Sequence, residues 1–153
     1  VDSVYGAAAR YDYLIDPDNR WHAQLSLDAG RGLSADRLLK AGGDTLLRGY
    51  PAGWQQGDRR LVLNVERRHF YRRHVFNLFR LGSAAFAEVG QAWDRSGTLT
   101  QSERVLADIG IGLRINSSKA RPNHVMHLDL PAPLTDRGRV KGLQWSLQAQ
   151  QSF

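Results

Sequence analysis

The chain has 153 residues, 21 of them basic and 15 acidic, a formal charge of +6 and no cysteine. That length supports one domain with a sizeable core, and the missing thiols exclude disulfides and thiolate metal sites. The basic residues are scattered in pairs such as Arg59-Arg60, Arg67-Arg68 and Arg72-Arg73, not gathered in one block, which argues against a nucleic-acid partner. No run approaches the roughly 18 consecutive apolar residues of a membrane helix. A membrane β-barrel stays open, because its strands are apolar only at every second residue. No signal peptide is visible and Val1 already stands in strand-like sequence, so a mature portion or a fragment of a longer chain is expected.

In chain order, Tyr5, Ala7, Ala9, Tyr11 and Tyr13 fall on one face of a strand, and Gly6, Ala8, Arg10 and Asp12 on the other. A turn follows at residues 16–19, Asp-Pro-Asp-Asn. Trp21, Ala23, Leu25, Leu27 and Ala29 then alternate with His22, Gln24, Ser26, Asp28 and Gly30. A long connection, 31–60, is expected next, with one or two helical turns over 34–40 capped by Ser34. Leu61, Leu63 and Val65 oppose Asn64, Glu66 and Arg68, and a turn without glycine is expected at 71–73. A long strand over 76–93 sets Leu81, Ser83, Ala85, Ala87 and Val89 against Arg80, Gly82, Ala84, Phe86, Glu88 and Gly90. After a polar loop, 94–104, Val105, Ala107, Ile109, Ile111, Leu113 and Ile115 share one face. Leu106, Asp108, Gly110, Gly112 and Arg114 share the other. A polar turn at 116–123 leads to Met126, Leu128 and Leu130, opposite His127 and Asp129. A loop around 135–139 precedes the last strand, where Trp145, Leu147, Ala149 and Phe153 share a face.

This is an all-β pattern of about seven strands of roughly 9 to 15 residues, without a long helix or an internal repeat. A soluble sandwich would turn the apolar faces to a core, whereas an antiparallel transmembrane β-barrel would turn them to lipid. Three features favour the barrel. The polar faces carry glycines and isolated charges (Asp108, Gly110, Gly112, Arg114) and not a Lys/Glu/Thr mixture. Aromatics such as Tyr13, Trp21, Phe70, Tyr71, Trp93 and Trp145 gather near strand ends, where interfacial girdles sit. Short turns on one side alternate with a very long loop on the other. Seven is an odd number of strands, so an upstream portion, or another copy, is expected to complete a larger barrel.

The stretch Gly42-Gly43-Asp44-Thr45-Leu46-Leu47-Arg48-Gly49-Tyr50-Pro51 does not alternate; its three glycines and terminal proline mark a structured loop. It can be a surface loop with a solvated arginine. It can also carry Arg48 into a confined space, where a guanidinium with five donors seeks carboxylates. By alternation Glu66, Glu88 and Asp108 face the polar side of three consecutive strands and can converge there. These carboxylates can equally serve only to solvate a wet interior.

The loop resembles the conserved loop motif of the outer-membrane assembly and secretion superfamily, the bacterial surface antigen barrels of BamA, TamA and the FhaC-type secretion pores. Arg48-Gly49-Tyr50 matches that family's Arg-Gly-aromatic ending. Phe86-Ala87-Glu88-Val89-Gly90 resembles its Phe-x-Asp-x-Gly, with glutamate in place of aspartate. Trp145, Leu147 and the terminal Phe153 are similar to an outer-membrane C-terminal signal, with Gln151 as a departure. The resemblance spans nearly the whole chain as the C-terminal part of such a barrel. It implies a lock in which Arg48, with Gly49 and Tyr50, holds loop 31–60 inside the barrel against Glu88 first and Asp108 second. Gly42, Gly43, Asp44, Glu66, Phe86 and Gly90 are the supporting residues.

The same resemblance implies insertion or translocation of polypeptides at the outer membrane of a Gram-negative bacterium, without a cofactor. The implied partners are outer-membrane lipids, lipopolysaccharide and a client or passenger polypeptide. An anchor or export barrel fused to an upstream enzyme, such as a patatin-like lipase, is the alternative, and a soluble β-sheet binding domain the third. No catalytic constellation is visible. The five histidines lack His-Glu-x-x-His spacing, and neither a Gly-x-Ser-x-Gly elbow nor a phosphate loop is present. His127 and Asp129 share a face but need no acid-base role to explain them.

Overall fold

The computed structural model describes residues 3–43, 47–76, 78–94, 105–117, 124–140 and 144–151. Asp44 and Phe153, most of the polar loop 94–104 and most of the turn 116–123 lie outside the described residues. The protein is all-β. Strands β1 (Ser3–Asp16), β2 (Asn19–Arg31), β5 (Arg59–Val75), β6 (Phe79–Trp93), β7 (Leu106–Ser117), β8 (His124–Pro133) and β9 (Ser146–Gln151) form one seven-stranded sheet in that order. Every neighbouring pair is antiparallel. Among the described residues β1 and β9 are the edges, and neither pairs with the other.

Some local expectations are corrected. The long connection also holds two short strands that alternation does not announce: β3 (Leu39–Ala41) and β4 (Gln55–Gly57) pair antiparallel as a second, two-stranded sheet. The helical segment shrinks to a single 3-10 turn, Ala35–Arg37, and Ser34 gives it no side-chain cap. Residues 71–73 are not a turn. The β5–β6 register shifts between Phe70 and His74, so the extra residues are absorbed as a bulge within β5. The chain reverses instead after Val75, whose carbonyl accepts the Leu78 N–H at 3.1 Å. Phe76 takes a positive φ of 52° there, a conformation that a glycine-free sequence does not announce.

The β1–β2 turn is built as expected from Asp16, whose Oδ1 accepts the N–H groups of Asp18 and Asn19 at 2.8 and 3.0 Å. Asp18 ties this turn to its neighbours. Its carboxylate accepts Arg72 Nε at 2.6 Å and also pairs with Arg80. The Arg72 hydrogen bond holds the Asp18 carboxyl below its usual value.

Period-two alternation divides the sheet into unlike faces. On one face Val62, Glu66, Phe70, Ala84, Phe86, Glu88, Ala92, Leu106, Asp108, Arg114, His127 and Asp129 are buried. The connection between β2 and β5 lies across it, and Leu47, Tyr50 and Ala41 from that connection join Val62, Ala92 and Leu106 in one apolar cluster. The opposite face is open: Leu25, Leu27, Leu61, Leu63, Val89, Ile109, Ile111, Leu113, Met126, Leu128 and Leu130 are all exposed. No second layer of the described residues covers it.

Candidate functional site: the Arg48 loop on the covered face

The loop gains its shape from three backbone reversals. Gly42 and Gly43 stand at φ of 104° and 106°, and a Cβ on Gly42 would meet the Pro51 carbonyl at 2.3 Å. Leu47 adopts φ 61°, which costs an ordinary side chain roughly 1–2 kcal/mol. Its complete burial in the apolar cluster offsets that cost. The Gly43 N–H then donates to the Tyr50 carbonyl at 2.9 Å, and the Tyr50 N–H to the Leu47 carbonyl at 3.1 Å. These bonds close a tight loop with Arg48 and Gly49 at its tip.

Arg48 is 7% exposed. Its backbone N–H donates to Glu88 Oε2 at 2.7 Å and its Nε to Glu88 Oε1 at 2.9 Å. Both Glu88 oxygens therefore face the loop. Nη1 donates to Asp129 Oδ2 at 2.5 Å, and Nη2 lies 3.3 Å from Glu66 Oε2. The guanidinium rests on the Phe86 ring, 3.5 Å from its centroid. Phe86 fits because Gly110 has no side chain; a Cβ there would stand 2.3 Å from the ring. Gly90 likewise permits close strand approach, since its Cβ would meet the Leu61 carbonyl at 2.6 Å.

Asp108 does not bind the Arg48 side chain. Its Oδ2 accepts the Gly49 N–H at 3.0 Å. The positive φ that turns the backbone here belongs to Leu47 and not to Gly49. Gly49 is required for clearance: a Cβ would sit 2.7 Å from Asp108 Cβ and 3.1 Å from its Cγ. Gly49→Ala should therefore break this hydrogen bond and leave a buried carboxylate without its donor, a cost of about 1–3 kcal/mol. Limited proteolysis of the variant should then cut within 31–60 faster than in the wild type, and an unchanged rate would refute the clearance argument.

Tyr50 is buried, with its ring in the apolar cluster and its hydroxyl at the β7–β8 end. The hydroxyl donates to the Ala107 carbonyl, 2.7 Å away, and accepts the N–H groups of Ala107 and Thr135 at 3.2 Å each. It also lies 2.8 Å from Thr135 Oγ1. Tyr50 thus joins the loop to strand β7 and to the segment that follows β8.

Sequence reasoning missed part of the network. Arg114 Nε donates to Glu66 Oε1 at 3.0 Å and its Nη1 to Asp129 Oδ1 at 2.5 Å, while Arg68 Nε donates to Glu66 Oε1 at 2.6 Å. Asn64 hydrogen-bonds Glu88. Three arginines (Arg48, Arg68, Arg114) thus interlock with Glu66, Glu88 and Asp129, and each paired carboxylate is buried. Asp129, and not Asp108, is the second carboxylate on the Arg48 guanidinium. Alternation had put Asp129 on the right face. Its register partner, Gly112, leaves room beside it: a Cβ there would come within 1.9 Å of Asp129 Oδ1. Trp145 and Leu147 stand apart from this network, exposed on the open face.

The arrangement anchors a loop by its backbone and by its side chain at once, onto four adjacent strands. Among the described residues no cluster of His, Asp and Glu is set to hold a metal ion. Comparisons with family models, with curated proteins and with solved structures find no match for this chain.

Proposed function

We propose that this chain is the C-terminal part of a transmembrane β-barrel of the outer-membrane assembly and secretion type, acting in insertion or translocation of polypeptides. The observation that carries this reading is the row structure of the open face. Tyr5, Ala29, Arg59 and Trp93 form one row across four strands, and Tyr13, Trp21, Arg67 and Ala85 another. The rows between them, such as Ala9-Leu25-Leu63-Val89 and Tyr11-Ala23-Val65-Ala87-Ile109, are apolar apart from Gln91 and the Tyr11 hydroxyl. From Tyr5 to Tyr13 the strand advances roughly 27 Å, or roughly 20 Å across a bilayer at the usual strand tilt. An apolar band of that height between aromatic and arginine rims suits lipid, and an uncovered face of this size is costly in water.

The covered face fits the inside of such a barrel. Its buried ion-pair network fixes the Arg48 loop against the strands, which would narrow the space inside. Among the described residues no strand pairs with the outer edges of β1 and β9, where backbone N–H and C=O groups left unpaired would each cost several kcal/mol in lipid. Upstream strands, or a second copy, would pair with them, and the seam between first and last strands could template a client strand. The test is physical first. The protein should require detergent or lipid and migrate differently on a gel before and after boiling; a monodisperse protein in plain buffer would reject the reading.

A further inference from the structure

The geometry points to a phosphodiester-binding site on the open face, formed by Arg67 over Trp21, that seats the head group of one anionic phospholipid. This inference rests on the membrane reading above and adds to it a particular site. Arg67 is an exposed arginine in a row that otherwise holds Tyr13, Trp21, Ala85 and Ile111. Among the described residues no other charged side chain on this face lies between its row and that of Arg59. Among the described residues it meets no carboxylate; its one contact is with the Trp21 ring, 5.8 Å from guanidinium to centroid. At the rim of the apolar band its guanidinium lies at head-group level, where an anionic head group can meet it.

The surroundings supply the rest of an anion site. Ala85, its partner on β6, leaves the space beside the guanidinium open. One row towards the short turns are His69 and Ser83, directly opposite each other, and the Tyr71 hydroxyl donates to Ser83 Oγ at 3.3 Å. His69 is held edge-on against Tyr71, with centroids 5.1 Å apart, and its Nδ1 is engaged by Asn19 at 2.8 Å. A fixed polar patch thus borders a cation with five donors, which suits a phosphodiester. On the other side of the row lie Val65, Ala87 and exposed Ile109, where acyl chains would run. A cationic head site continuous with an uncovered apolar strip favours a lipid over a free phosphate.

The test uses the full-length protein in nanodiscs of phosphatidylcholine with and without phosphatidylglycerol, reading retained lipid by native mass spectrometry. The wild type should retain one phosphatidylglycerol. Arg67→Gln should lower its retention about tenfold, the scale of one lost charge-assisted hydrogen bond. Arg67→Lys, which keeps the charge and loses the stacking, should fall between them, and Arg10→Gln on the other face should match the wild type. If Arg67→Gln fails to insert, Trp21→Leu should still lower retention severalfold. Equal retention by the wild type, Arg67→Gln and Trp21→Leu in inserted protein would overturn this site while leaving the membrane reading intact. Displacement of the lipid by inorganic phosphate would overturn it in favour of a free anion. Failure of the wild type to enter bilayers would overturn both.

Discussion

Arg48→Ala in the full-length protein is expected to suppress the proposed polypeptide export strongly while the sheet still assembles. The substitution removes the guanidinium that joins Glu88, Asp129 and Glu66. Among the described residues it leaves Arg68 and Arg114 paired with Glu66 and Asp129, and leaves buried Glu88 without a cation. Removing one partner of a buried ion pair costs about 3–5 kcal/mol, because the charges left behind lose compensation and stay out of water. The backbone bonds of Arg48 to Glu88 and of Gly49 to Asp108 survive, so the loop should loosen and not vanish from the face. Arg48→Lys should rescue poorly. A single ammonium cannot reach Glu88 through one nitrogen and Asp129 through another, and it loses the flat stacking on Phe86. The strands should still form, since their ladder bonds do not involve the loop. Client export, cell growth and protease accessibility of 31–60 measure the effect. An Arg48→Ala protein that equals the wild type in all three would end the proposed lock.

The second large effect separates the two faces. Ile109→Arg should impair folding into liposomes by about 2–4 kcal/mol, the cost of a charge inside the apolar band that the proposed function turns to lipid. Ile109 is 47% exposed with only apolar neighbours across the strands: Ala87 on β6 and Ala132 on β8. Asp108→Asn, at the preceding residue on the covered face, should cost much less. An asparagine oxygen can still accept the Gly49 N–H that Asp108 Oδ2 accepts now. The folded fraction on an unboiled gel reports both variants under one condition. Equal tolerance at the two positions would mean that the faces have been assigned the wrong way round.

Much of the architecture was legible because a strand has only one degree of freedom in its pattern. Ala107 to Ile115 alternate without a break, and the body of β7 follows from that alternation alone. The turn at 16–19 was legible for a similar reason: Asp16 carries its own hydrogen-bonding instruction, and its carboxylate makes the bonds. The bulge at 71–73 was not legible. Nothing in Tyr-Arg-Arg distinguishes a reversal from two extra residues in a continuing strand; the pairing of Phe70 with Gly82 and of His74 with Arg80 decides it. Leu47 and Phe76 escaped for a related reason. A non-glycine residue at positive φ is held there by its surroundings and not by its own preference, and those surroundings are tertiary.

The sequence by itself determined which residues share a face, because side chains alternate with period two whatever the partner strand. Glu66, Glu88, Asp108, Arg114 and Asp129 were therefore bound to lie on one side, and Ile109, Ile111 and Leu113 on the other. It also determined that 42–51 would be a loop with one arginine near its tip. Only the tertiary structure decided which carboxylate meets which donor. That depends on strand register and on where the loop comes to rest, and a shift of one pair would exchange the partners. Register sets Glu88 opposite Asp108 and Gly112 opposite Asp129. The loop descends so that its backbone takes Asp108 and Glu88 while the guanidinium passes beyond Asp108 to Asp129, a residue 81 positions away in the chain.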